Sequence, residues 1–267
     1  MVARLLIIAG SDSGGGAGLQ ADMKAASALG VYAMTAVTAV TAQNTRGVSA
    51  VALMTPEMLR AQIRACLEDI GADAVKIGML GSADLVRVVA EELAGFAGPV
   101  VLDPVMIAKS GDALLAEEAV AALTTQLLPR ATLLTPNLPE AACLLGLPEA
   151  QEADEAQARA LQALGPGAVL LKGGHAAGEV CTDLLLADAA YRFTAPRIAT
   201  RNAHGTGCSL ASAVAAGLAS GRPLPEAVAR AHDWLQGAIR AADSLQIGQG
   251  HGPVHHFHGI WSEEALV

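Results

Sequence analysis

Short apolar runs alternate along the chain with longer stretches in which apolar residues recur every three or four positions. "RLLIIAG" (4–10), "YAMTAVTAVT" (32–41), "DAVKIG" (73–78), "PVVLDP" (99–104), "ATLLTP" (131–136) and "AVLLKGG" (168–174) read as strands. Strands covered on both faces are almost continuously apolar. Between and after them the spacing predicts helices over 18–30, 56–71, 83–94, 113–127, 138–145, 152–163, 207–219 and 225–242. In the second, Leu59, Ile63, Cys66, Leu67 and Ile70 share one helical face, and Pro56 suits the first turn. "DLLLAD" and "YRFTAP" predict a hairpin turning at Ala189–Ala190. The alternation predicts an α/β protein with a mostly parallel sheet covered by helices on both faces. No linker or repeat period interrupts it, so one domain over residues 1–267 is expected. Ligands of such sheets sit at the carboxyl ends of the strands. "GSDSGGG", "KIGM", "DPVM", "TPNLPE" and "KGGH" all fall there.

Apolar residues make up 52% of the chain but aromatics only 3%, so alanine, leucine and valine must fill the core. A net charge of −9 argues against a nucleic-acid partner, which needs a basic stripe. Cys66, Cys143, Cys181 and Cys208 lie far apart with no CxxC pair, a usage that suits a reducing compartment. The N-terminal apolar run is too short for a signal peptide. Residues 25–45 carry no charge, yet their Ala, Thr and Val content, with Gln43 and Asn44 at the end, is too polar for a membrane helix. A cytoplasmic protein with no membrane partner is expected.

Two glycine-rich loops carry the candidate chemistry. In the first, "GSDSGGGAGLQAD", five of the nine residues from Gly10 to Gly18 are glycine. No lysine follows within the loop, so it is not a Walker A phosphate loop. Gly16, Gly18 and Ala21 match GxGxxA, but no Asp or Glu occurs between Asp22 and Glu57, where a dinucleotide site needs one. With Asp12, Ser13 and Asp22 beside it, the loop reads as a wall pressed against a small ligand. The second, "NAHGTGCSLASA", places Gly205, Thr206, Gly207 and Cys208 at the start of a small-residue helix. Free N–H groups and the positive end of the helix dipole make that start an anion site. Gln43 offers a donor and an acceptor together.

As a whole the sequence resembles the hydroxymethylpyrimidine kinase/phosphomethylpyrimidine kinase group of thiamine biosynthesis, within the ribokinase-like family. "AGSDSGGGAGLQADMKA", "TAVTAQNTRGV", "VKIGMLGS", "VLDPVMIAKSGDALL", "LLTPNLPEA", "VLLKGGH", "HGTGCSLASA" and "PVHHFHG" carry the resemblance, in order, over residues 8–259. Ile77 and Ala203 depart from it, standing where threonine is usual. The resemblance implies a three-layer α/β/α fold, a homodimer, ATP with Mg2+, and two phosphorylations of one hydroxymethylpyrimidine. It implies that the first glycine loop forms a substrate lid and wall, with Gly10, Asp22, Gln43, Met79 and Val105 on the pyrimidine. Asp22 would bond the hydroxymethyl or amino group. Gly205, Thr206, Gly207 and Cys208 would serve the transferring phosphoryl group. Lys172, Asn137 and Thr206 would meet the nucleotide, and Glu140 and Asp103 the metal. At a helix N-terminus Cys208 is expected as a thiolate able to accept the hydroxymethyl proton.

Of the 17 basic residues only Lys24, Lys76, Lys109 and Lys172 are lysines, each inside one of these stretches. A lysine kept in an arginine-using chain suggests a required point charge. His251, His255, His256 and His258 form a dense cluster, for which a metal is one reading and a plain exit segment the other. Two other functions stay open: a pyridoxal kinase of the same fold, and a silent pyrimidine sensor. Cys208 favours the pyrimidine kinase over most pyridoxal kinases, and intact "GTGC", Asn137, Glu140 and Lys172 oppose the sensor.

Overall fold

The computed structural model describes residues 1–106, 116–174 and 176–262. Strand β1 (Arg4–Asp12) is the pivot of the sheet. It pairs in parallel with β2 (Tyr32–Asn44) on one side and β4 (Ala74–Ile77) on the other. Parallel pairing continues through β5 (Val100–Leu102), β6 (Leu133–Leu134) and β7 (Val169–Leu171). Three antiparallel junctions finish the edges: β3 (Gly47–Leu53) on β2, then β8 (Val180–Leu186) on β7 and β9 (Ala190–Pro196) on β8. The strand order is β3-β2-β1-β4-β5-β6-β7-β8-β9.

Alternate side chains of each strand face opposite layers. Leu6, Ile8, Val75, Ile77 and Leu102 pack under α2 (Pro56–Ala65), α3 (Ala83–Glu92), α4 (Glu117–Ala122), α5 (Leu138–Leu145) and α6 (Glu155–Gln162). Leu5, Ile7, Ala9, Val101 and Leu133 pack under α1 (Gly18–Ala28), α7 (Thr206–Ala219) and α8 (Leu224–Arg240). These are the three layers that the pattern predicts. Every residue of α7 from Ser209 to Gly217 is buried, as a helix apolar on all sides must be. At Gly217 an added Cβ would lie 2.9 Å from that of Ala227, so only glycine lets α8 approach this closely.

Several boundaries differ from the sequence reading. Strand β3 was not expected, because Val51 and Leu53 on it are exposed and no buried face marks it. The helix predicted over 56–71 is α-helical only to Ala65, then widens into a π turn, Cys66–Ile70, and stops at left-handed Gly71. The helix predicted over 113–127 likewise ends in a π turn, Leu123–Leu127, and its first residues, 113–115, lie outside the described residues. Strand β8 begins three residues before "DLLLAD", at Val180, and Ala187 bonds across the turn to the Ala189 carbonyl. The uncharged stretch 25–45 ends α1 and forms β2. Among the described residues no helix is long and apolar enough to cross a membrane.

Candidate active site

A cavity of about 650 Å3 opens at the carboxyl ends of β1, β4, β5 and β7, bounded by the start of α7. Its floor is ionic. Lys76, the last residue but one of β4, is fully buried, and its ammonium meets both carboxylate oxygens of Asp22 on α1 at 2.9 and 2.8 Å. Ser212 on α7 donates to the same carboxylate at 2.7 Å. Burial disfavours the Lys76 charge, but Asp22, Cys208 and Asp103 together raise its pKa above the ordinary value. The structure does not bring Asp22 to a substrate: it is fully buried beneath the cavity, does not line it, and accepts its bonds from Lys76 and Ser212. The second pair spans the neighbouring strands, with Asp103 just past β5. Lys172, just past β7, donates to Asp103 Oδ1 at 2.8 Å, and Thr135 donates to the same oxygen at 3.0 Å. Burial opposes both charges; Lys172 then holds the Asp103 carboxyl below its usual range, and Asp103 and Glu140 raise Lys172.

The start of α7 meets this pair. Gly205 caps the helix in a left-handed conformation (φ 82°), and a Cβ there would overlap the Gly16 carbonyl. The first intrahelical bond is Ser209 N–H to Gly205 O, so the N–H groups of Thr206, Gly207 and Cys208 have no partner in the helix. A Cβ on Gly207 would sit 3.3 Å from Lys172 Nζ and 3.8 Å from Asp103 Oδ2. Free N–H groups, a helix dipole and a lysine thus converge on one point. Cys208 differs from expectation. Burial pushes its thiol up to about 12; Lys76 pulls it down, while Asp22 and Asp103 push it up further. The resting side chain is a thiol, because burial and two carboxylates outweigh Lys76 and the Gly18 N–H.

The first glycine loop folds around its own carboxylate. Gly14, Gly16 and Ala17 N–H groups donate to Asp12 at 2.8, 3.0 and 2.8 Å, and His204 Nε2 lies 3.1 Å away. Burial works against the Asp12 charge, but His204 and these N–H groups hold its pKa below the usual carboxylate range. Lys24 ties the loop down by donating to Gly15 O at 2.7 Å. A loop anchored this way is a wall; its N–H groups are not offered to a ligand. Gly10 packs against Met79: a Cβ there would lie 2.7 Å from Met79 Cε, and the flexible methionine would have to shift. Gly10, Gln43, Met79 and Val105 line the cavity.

Asn137 and Glu140 form a capping box at the start of α5: Asn137 Oδ1 accepts from Glu140 N–H, and Glu140 Oε2 from Asn137 N–H, both at 2.8 Å. Burial raises the Glu140 pKa to about 7, with Lys172 lowering it and Asp103 raising it. Among the described residues no three His, Cys, Asp or Glu side chains group closely enough to cage a metal. Magnesium keeps most of its water and takes one or two carboxylates plus phosphate oxygens. Glu140 and Asp103, both lining the cavity, fit that demand.

Residues that the sequence reading left without a role also line the cavity. His204 is one, and the motif "HGTGC" already contained it. Asp183 is another: it accepts the Gly173 N–H at 2.9 Å, and burial raises its pKa. Arg197, Ile198, His232 and Gln236 line the cavity with it. Nothing in "CTDLLLAD" distinguishes Asp183 from a hairpin residue. The histidine cluster does not converge on one point. His256 is buried, bonds Ser209 Oγ at 2.9 Å and is pushed down to about 3 by burial, whereas His251 faces the Arg201 carbonyl. Lys109, with all of "AKSGDALL", and His175 of "KGGH" lie outside the described residues.

Comparison with known proteins places this geometry. The family model "Phosphomethylpyrimidine kinase" matches residues 12–255. The hydroxymethylpyrimidine/phosphomethylpyrimidine kinase of Rhizobium meliloti is 54% identical, covering 98% of this chain and 100% of its own. The enzyme of that name from Escherichia coli is 50% identical over 96% of this chain and 98% of its own. Among solved structures, a Clostridium difficile phosphomethylpyrimidine kinase superposes with a TM-score of 0.78 at 40% identity, covering 89% of this chain and 99% of its own. A Staphylococcus aureus pyridoxal kinase bound to AMP-PCP and pyridoxal superposes with a TM-score of 0.88 at 32% identity, covering 97% and 95%.

The protonation state of Cys208 can be read directly. Only the thiolate alkylates. With its pKa pushed up to about 12, Cys208 should resist iodoacetamide at pH 7.5 in the ligand-free protein, while exposed Cys143 reacts. Modification should reach Cys208 only as pH climbs toward its pKa. Peptide mapping by mass spectrometry checks this; rapid labelling of Cys208 at pH 7.5 contradicts a buried thiol.

Proposed function

The chain belongs to the phosphomethylpyrimidine kinase family, and we propose that it phosphorylates 4-amino-5-hydroxymethyl-2-methylpyrimidine to its monophosphate and then to its diphosphate. The observation carrying this reading is the meeting of Lys172 with the start of α7 in the wall of one cavity. Phosphoryl transfer needs positioning and charge neutralisation more than covalent help. In this reading the pyrimidine lies against Gly10, Gln43, Met79 and Val105, with its hydroxymethyl group toward Gly207. ATP lies against Asp183 and Arg197, its phosphates running past Asn137 and Lys172 to Thr206. The free N–H groups of Thr206, Gly207 and Cys208 hold the transferring oxygens, which is electrostatic stabilisation where charge develops. Cys208, a thiol at rest, contributes its N–H and its shape. Glu140 and Asp103 hold hydrated Mg2+, which screens the phosphate charge when bound. The second transfer uses the same anion site; the attacking phosphate is already largely deprotonated.

We further read residues 1–267 as a single kinase domain that works as a homodimer, a reading supported by exposed Val40, Val51 and Leu53 on the β2–β3 edge.

Two experiments test the reading. Purified protein with excess MgATP should convert the hydroxymethylpyrimidine first to monophosphate and then to diphosphate, followed by chromatography and mass spectrometry. Accumulation of monophosphate alone removes the two-step claim, and a higher kcat/KM on pyridoxal favours the other kinase. Separately, Glu140→Gln keeps an oxygen for the Asn137 N–H but loses the charge. It should raise the Mg2+ concentration for half-maximal rate by roughly 10–100-fold, with an unchanged urea midpoint. An unchanged Mg2+ requirement would reduce Glu140 to a helix cap.

A further inference from the structure

The amide of Gln43 is held at both ends. One end lies 3.2 Å from His204 Nε2 and the other 3.2 Å from Thr41 Oγ1. Amide oxygen and nitrogen are told apart by their partners, and proton counting decides here. His204 Nε2 is 3.1 Å from Asp12 Oδ2, a carboxylate that also accepts three backbone N–H groups. A bare ring nitrogen would repel that oxygen, so Nε2 carries the proton. That one hydrogen faces both Asp12 Oδ2 and the Gln43 amide and is shared between them; a second donor facing it would be repelled, so the amide atom on the His204 side is the oxygen. The other end agrees. Thr41 has a single hydroxyl proton, and it goes to Ser11 O at 2.8 Å. Toward Gln43, Thr41 Oγ1 can only accept, so it faces the amide NH2.

We propose that His204, anchored on Asp12, and Thr41 lock the Gln43 amide in one orientation, and that this lock makes the enzyme specific for a 4-amino over a 4-oxo pyrimidine. The inference rests on the placement of the pyrimidine beside Gln43. After its two internal bonds the amide keeps one acceptor lone pair on the His204 side and one N–H on the Thr41 side. A 4-aminopyrimidine edge offers an N–H beside an unprotonated ring nitrogen. The 4-oxo analogue offers a carbonyl beside a ring N–H, the reverse order. A free glutamine would flip and read either; the locked one leaves the oxo analogue's groups opposed or unpaired. His204 is thus a positioning residue acting through Gln43. It comes from the segment before α7, while Gln43 ends β2, so sequence separation hides the pair.

The test compares kcat/KM for 4-amino-5-hydroxymethyl-2-methylpyrimidine and for 5-hydroxymethyl-2-methylpyrimidin-4-one. His204→Phe keeps the ring and removes the donor. Thr41→Val keeps the shape and removes the acceptor. Each should lower the amino-to-oxo ratio by about tenfold or more, with part of the change a gain on the oxo analogue. Damage to the fold would lower both substrates together and leave the ratio where it was. A ratio unchanged in both variants, or a native enzyme that takes both substrates equally, overturns the lock. Gln43→Leu separates the two layers. If it collapses the ratio while His204→Phe and Thr41→Val do not, Gln43 reads the pyrimidine and only the lock fails. If Gln43→Leu changes neither the ratio nor the pyrimidine KM, the placement beside Gln43 fails.

Discussion

Two lysine ammonium groups are buried where the strands end, and each exists as a charge only because a carboxylate meets it. An uncompensated ion in such a place costs several kcal/mol even after relaxation. Lys76 is answered by Asp22, and Lys172 by Asp103. These requirements fix much of the architecture around the cavity. Asp22 comes from α1, so α1 must lie over β4; Ser212 comes from α7, so α7 must lie beside both. Asp103 ends the central strand and Thr135 follows its neighbour, which keeps the second pair in register. The start of α7 is placed within reach of Lys172 by the same contacts.

A field built this way suits an anion that arrives and leaves. The lysines are neutralised at rest, so the cavity is not a sink of positive charge. The free N–H groups of α7 are fixed dipoles that stabilise charge without reorganising. The glycines serve this design at two points. Gly205 lets the chain turn into α7 against Gly16, and Gly10 leaves room for Met79. The same environment explains why Cys208 stays a thiol: burial, with Asp22 and Asp103 adding to it, outweighs the pull of Lys76.

The layered fold was legible because both faces of its parallel strands are buried, and burial on both faces writes a plain apolar run. Strand β3 was not, since an exposed edge leaves no such mark, nor were the π turns, since a widened helix keeps much the same apolar spacing. At the site, Gly205 to Gly207, Lys172 and the Asn137–Glu140 pair were legible, because helix starts and strand ends have local grammar. Asp22 was misplaced for a physical reason: a carboxylate that neutralises a buried lysine 54 positions away has no local signature. Asp12 and His204 share that difficulty across 192 positions.

The central claim is that Asp22 serves Lys76, and a double-mutant cycle in urea unfolding measures it most directly. Asp22→Asn alone strands a buried ammonium and should lose about 3–5 kcal/mol. Lys76→Met alone strands a buried carboxylate, with a similar loss. Together they remove both charges, so the double variant should lose no more than either single one. Losses that simply add would contradict the account, because they would mean that the two groups are stabilised independently and that the cavity floor is not built on their pairing.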